Sequence, residues 1–89
     1  MASRVVMYST RWCPFCLFAR RLLKKKGVDV EERRIDKDPA LGREMVERTR
    51  RETVPQIFVG DFHVGGFDDL QTLDQTGELD QRLFPEGSE

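Results

Sequence analysis

Apolar positions fall in short, well-separated groups along the chain. Arg4-Val5-Val6-Met7-Tyr8 is a nearly continuous apolar run, which reads as a strand buried on both faces. Residues 9–12 read as the turn that follows. Phe15, Phe18, Ala19, Leu22 and Leu23 then recur at i, i+3, i+4, i+7 and i+8, a single helical stripe. Pro14 suits the first turn of that helix, where a missing N–H costs nothing. Lys24, Lys25 and Lys26 close it, and Gly27 is the stop. Residues 28–35 begin with alternation and predict a second strand, parallel to the first through a right-handed crossover. Asp38 as N-cap and Pro39 as first residue start a helix that runs to about Thr49. Its thin apolar face, Leu41, Met45 and Val46, predicts a surface position. Gln56-Ile57-Phe58-Val59 reads as a strand, Gly60-Asp61 as a tight turn, and Phe62-His63-Val64 as the hairpin partner. Gly65-Gly66 breaks that strand. Phe67 or Asp68 caps a short helix ending at Gly77, and residues 78–84 add a helical turn or two. A polar tail covers 85–89. The order β-α-β-α-β-β-α predicts an α/β fold: one four-stranded mixed sheet with helices on both faces.

Length turns this pattern into a single domain spanning 1–89. Apolar residues are 38% of the chain and charged residues 35%, and the organised apolar runs indicate a folded protein. No apolar stretch approaches ~18 residues, which excludes a membrane-spanning helix. The segment from Met1 to Met7 enters a strand without a signal-peptide core, so a cytoplasmic protein is expected. Net charge is −1 but unevenly spread. Residues 1–51 carry 14 basic and seven acidic side chains; residues 52–89 carry one and nine. No aromatics interleave with the basic residues, which argues against nucleic acid. Lys24-Lys25-Lys26 and Glu31-Glu32-Arg33-Arg34 read mainly as solvated faces, with room for a positive rim around an anionic small ligand.

The two cysteines change the picture most. Cys13 and Cys16 form one C-x-x-C, Trp12-Cys13-Pro14-Phe15-Cys16, between the first strand and the first helix. A structural zinc site needs four ligands, and His63 is the only other strong candidate, so no metal is expected. A disulfide scaffold needs more cysteines and a secreted context. The arithmetic favours a redox pair. Cys13, at the cap, lies near the free N–H groups of the helix start, whose positive end favours a thiolate. Cys16 sits one turn further in, close enough in spacing to form a disulfide with it. These placements make Cys13 the nucleophile and Cys16 the resolving thiol, with Arg11 adding positive charge beside Cys13.

Cys-Pro-Phe-Cys after a strand, Thr53-Val54-Pro55 before a strand, and Gly65-Gly66-Phe67-Asp68-Asp69 before a helix together resemble the dithiol glutaredoxins of bacteria, a thioredoxin-fold family. The resemblance runs from residue 4 to about 84. It implies reduction of protein disulfides and glutathione mixed disulfides with glutathione as co-substrate. It implies that Pro55 is a cis-proline against the active site, that Val54 pairs main chain to main chain with glutathione, and that Thr53 lines the groove. Gly66, Phe67 and Asp68 would hold the γ-glutamyl end, with Asp68 pairing its ammonium and also capping the helix. Phe15 stands where tyrosine is usual and keeps the ring. Thr10 stands where a lysine often contacts the glycine carboxylate, so Arg11, or Arg50 or Arg51 across the groove, would supply that charge. The expected protein is a monomer acting on glutathionylated or disulfide-containing proteins, with ribonucleotide reductase a plausible client. Competing readings are a reductase fed by a thioredoxin-reductase-like flavoprotein, and a glutathione-ligated [2Fe–2S] carrier sharing Cys13 between two chains, which Pro14 disfavours. His63 is expected half-exposed in its hairpin, and Tyr8 at the core edge with its hydroxyl able to reach the site.

Overall fold

The computed structural model describes residues 2–85. Eight elements follow one another: β1 (Val5–Ser9), α1 (Pro14–Lys25), β2 (Val30–Arg34), α2 (Pro39–Thr49), β3 (Gln56–Val59), β4 (Phe62–Gly65), α3 (Phe67–Thr76) and α4 (Glu78–Leu83). The sheet order is β2-β1-β3-β4. β1 runs parallel to β2 and antiparallel to β3, and β3–β4 is a hairpin with a bulge between Ile57 and Phe58. The four-stranded mixed sheet expected from the element order is therefore present, in the thioredoxin-like form that the resemblance implies. The last helical turns form a separate α4 after Gly77, which takes a left-handed φ of 85°. Of the polar tail expected over 85–89, all but Pro85 lies outside the described residues.

Strand alternation divides the core in two. Val5, Met7, Ile57 and Val59 face Cys16, Ala19, Leu23, Leu70, Leu79 and Leu83 of α1, α3 and α4. Val6, Tyr8 and Phe58 face the other way, against Met45 of α2. Every residue of β1 is buried, as expected of a central strand with helices on both sides. The apolar face of α2 is thin: Met45 and Thr49 are buried, while Val46 is exposed.

Charges expected to be solvated are partly turned inward. Lys24 and Lys25 are exposed, but Lys26 pairs with Asp74 at 2.6 Å and Asp80 at 3.0 Å, tying the end of α1 to α3 and α4. The charges of β2 are paired at the sheet edge while Glu31 stays exposed. Glu31 pairs with Arg4 and Arg33, Glu32 with Arg20, and Arg34 with Asp36. A charged edge strand also resists pairing with another chain.

Tyr8 is fully buried, and its hydroxyl turns towards α2 rather than towards Cys13. It donates to the Glu44 carboxylate and accepts from Arg48 at 2.8 Å and Arg33 at 3.4 Å. The Tyr8 hydrogen bond, then Arg33, hold the Glu44 carboxyl below the usual range. A carboxyl with a lowered folded pKa adds stability that is present above its unfolded value and lost as acid protonates it. Tyr8→Phe is expected to cost about 1–2 kcal/mol, because Glu44 and Arg33 still hold each other. Urea melts at neutral and acid pH would check this, with the difference between the two proteins shrinking in acid.

Candidate active site

The turn after β1 places the site. Pro14 opens α1, and Cys13 is its N-cap in extended conformation, φ −133° and ψ 102°. The Cys16 N–H donates to Cys13 Sγ at 3.1 Å. The sulfur thus takes the role that a Ser or Asp oxygen usually has at a helix start, where N–H groups lack partners and negative charge is favoured. Cys13 is half-buried and Cys16 buried, both as free thiols. Burial, followed by hydrogen bonding with Cys13, pushes the Cys16 thiol up to about 12. One sulfur is reachable at the helix start; the other is buried behind it as a thiol.

Facing Cys13 is the loop before β3. The Val54–Pro55 peptide is cis, and the Val54 carbonyl oxygen lies 3.9 Å from Cys13 Sγ. An open groove enclosing about 210 Å³ starts here. Phe15, Thr53, Val54 and Pro55 form one side. Gly66, Phe67 and Asp68 at the start of α3 form the other. Phe67 stacks on Phe15 with centroids 6.2 Å apart and packs against Phe18 at 5.9 Å, joining α1 to α3 beside the groove.

The start of α3 differs from the expectation. Gly66, not Phe67 or Asp68, is the N-cap, and the helix begins at Phe67. Asp69 reaches back so that the Gly66 N–H donates to its carboxylate at 3.0 Å, and Arg51 supports that carboxylate at 3.4 Å. Gly66 carries no side chain to cap with, so the third helical residue does it instead. Two consequences follow for the groove. The N–H groups of Phe67 and Asp68, first in the helix, remain available to an anion. Asp68, relieved of capping, is an exposed carboxylate beside them.

Other expected residues lie elsewhere. Arg11 is not on this groove; its guanidinium sits over the Trp12 ring, 5.0 Å from the centroid, on the other flank of Cys13. Arg51 does line the groove, whereas Arg50 is the left-handed C-cap of α2. His63 is half-exposed, stacked on Phe58 at 4.9 Å, with Nε2 2.7 Å from Gln56 Oε1. Its desolvation there lowers its pKa. Asp69 and the buried Gln56, which also line the groove, were not marked by sequence reasoning. For Asp69 a signal exists: an acid three residues after Gly66, the glycine that follows the strand, is the spacing of a capping box.

A family model described as Glutaredoxin matches residues 5–64. A glutaredoxin of Pseudomonas aeruginosa is 48% identical over 79 residues, covering 89% of this chain and 94% of its own. Glutaredoxin 3 of Escherichia coli K12 is 46% identical over 81 residues, covering 91% and 98%. The solution structure of a Brucella melitensis glutaredoxin superposes with a TM-score of 0.80 at 44% identity, over 92% of this chain and 89% of that one. No helix among the described residues is long and apolar enough to cross a membrane. With a reachable N-cap cysteine, a buried partner one turn on and relatives matching nearly end to end, the chain belongs to the glutaredoxin family of glutathione-dependent disulfide oxidoreductases.

Proposed function

We propose that this protein reduces both glutathione mixed disulfides and protein disulfides, with Cys13 as nucleophile and the groove past Pro55 as the glutathione site. The observation that carries the reading is Cys13 Sγ itself. It is capped by the Cys16 N–H and faces the Val54 carbonyl at the mouth of the groove.

In the first step the Cys13 thiolate attacks the glutathione sulfur of a mixed disulfide. A Cys13–glutathione disulfide forms, and the client sulfur leaves as a thiolate that takes a proton from water. A second glutathione thiolate then attacks the bound glutathione sulfur, which releases oxidised glutathione and returns Cys13. For a protein disulfide, the Cys13 thiolate attacks one client sulfur, the client S–S bond breaks, and the other client sulfur leaves as a thiolate that takes a proton from water. Cys16 then loses its proton and attacks Cys13, freeing the client and leaving a Cys13–Cys16 disulfide that two glutathione molecules reduce. Glutathione lies extended along Thr53 and Val54, whose backbone offers strand-like pairing. The free N–H groups of Phe67 and Asp68 take its γ-glutamyl carboxylate, Asp68 its ammonium, and Arg51 stands near enough to the groove to meet its other carboxylate. Gly66, Phe15 and Pro55 shape the walls.

Reduction of a small glutathione mixed disulfide, with and without glutathione and its reductase, tests the reading; turnover that does not depend on glutathione would reject it. Asp68→Ala is a second check. Loss of a charge-assisted contact of about 1.4 kcal/mol raises the KM for glutathione by up to about tenfold. Because Asp69 does the capping, the melting temperature should change little, at most through the weaker charge–dipole effect of ~0.3–1 kcal/mol. An unchanged KM would remove Asp68 from the site.

A further inference from the structure

Cys13 lies between two grooves, and glutathione accounts for only one. On the flank away from Pro55, Cys13 also borders a groove formed by Arg11, Trp12, Pro14, Leu17 and Arg20. Its surface is mainly apolar side chain that the fold leaves uncovered: Trp12 is 83% exposed and Leu17 38%. The indole lies under the Arg11 guanidinium. Arg20 is held by Glu32, whose carboxylate also accepts from the buried Ser9 hydroxyl at 3.0 Å. Beyond Leu17, Arg20, Arg21 and Lys24 follow at i+3, i+4 and i+7, so one face of α1 continues the groove as a basic stripe. Arg21 and Lys24 are exposed, and α1 contains no acidic residue.

A large exposed aromatic beside arginines is the composition of a recognition surface rather than of a solvated face. A mixed disulfide has two halves, and the client half must cross one of the walls around Cys13. The wall that glutathione leaves open is this one. Charge decides what fits: an apolar side chain on the Trp12–Leu17 floor, and carboxylates along the stripe that runs from Arg20 to Lys24. An anionic small thiol would use the arginines but leave the indole without a role.

We propose that this groove docks the client protein: an extended segment with an apolar side chain beside its reactive cysteine and Asp or Glu residues beyond it. The proposal rests on Cys13 as nucleophile with glutathione on the Pro55 side. Three glutathionylated substrates test it: 2-mercaptoethanol, a peptide with Leu next to its one cysteine followed by Asp and Glu, and the same peptide with lysines in place of the acids. The expected kcat/KM for the acidic peptide is about tenfold above that for the basic one at low salt, narrowing to about twofold at high salt as the charges are screened. Trp12→Ala should lose about tenfold on the acidic peptide and stay within about twofold on the mercaptoethanol substrate. Equal rates on the two peptides would overturn the proposal, as would an equal loss on all three substrates. A Trp12→Ala defect confined to the KM for glutathione would also overturn it, by assigning the groove to the reducing thiol. Failure of the unaltered protein on the mercaptoethanol substrate would instead defeat the glutathione reading itself.

Discussion

Cys13→Ser is expected to lose all thiol–disulfide exchange above the uncatalysed background, whereas Cys16→Ser keeps glutathione mixed-disulfide reduction and loses reduction of protein disulfides that need a dithiol. The asymmetry follows from where the helix puts each sulfur. Cys13 is the N-cap, half-exposed, with its sulfur accepting a backbone N–H. A serine there can still cap the helix, so the variant should fold and melt normally while lacking the nucleophile. Cys16 is buried, and its thiol, raised to about 12, is protonated until the resolving step draws the proton off. The sign for pH follows. Cys16, with its raised pKa, is still gaining thiolate at a pH where an ordinary thiol near about 8.5 has levelled off, so protein-disulfide reduction should keep climbing there while mixed-disulfide reduction resolved by glutathione flattens. Parallel assays of both substrates on either side of about pH 8.5 would check it. Loss of both activities in Cys16→Ser, with neither lost in Cys13→Ser, would reverse the roles.

The second large effect is expected in stability, at Gly65. This residue is buried at the end of β4 with φ +112°, where a side chain is strained whatever the space. A Cβ there would also run into the Asp69 carboxylate, the group that caps α3. Gly65→Ala combines backbone strain of ~1–3 kcal/mol with loss of a cap worth ~1 kcal/mol. A fall of about 2–4 kcal/mol, or roughly 10–30 °C in Tm for a chain of this size, is expected in thermal melts. The neighbouring glycine behaves differently. Gly66 has φ −90°, open to any residue, and an added Cβ would make only ordinary contact with the Pro55 carbonyl at 3.6 Å. Gly66→Ala should melt within about 1 kcal/mol of the parent yet raise the KM for glutathione, because its methyl stands at the groove. Equal melting of the two variants would show that the strain at Gly65 is not what the geometry implies.

Local patterns were legible along the chain because their causes are local. The α1 stripe, Pro14 at its start and the strand-like run of β1 each depend on residues within one or two turns of each other. So does the relation of Cys13 to Cys16, since a cysteine at a helix cap and another three residues on meet whatever the rest of the fold does. The parallel pairing of β1 and β2 was equally readable, because a crossover helix between two strands leaves few alternatives.

Choices between near-equivalent partners were decided only in three dimensions. Asp68 and Asp69 are adjacent acids at a helix start; Asp69 became the cap because Gly66 offers its N–H and Arg51 stands behind the carboxylate. Of three consecutive lysines, Lys26 alone turned inward, since α3 and α4 bring Asp74 and Asp80 to it from 48 and 54 residues away. Tyr8 pointed its hydroxyl at α2 rather than at Cys13 because strand alternation gives its side chain to the Phe58 and Met45 face. Arg11 settled on the Trp12 ring and left the Pro55 side without it. The amino-acid sequence by itself determined which sulfur is at the helix start and which elements frame it, through short-range sterics and periodicity. The tertiary structure alone decided which charges line the Pro55 flank of that sulfur, because Arg51, Asp68 and Asp69 are brought there by elements distant along the chain.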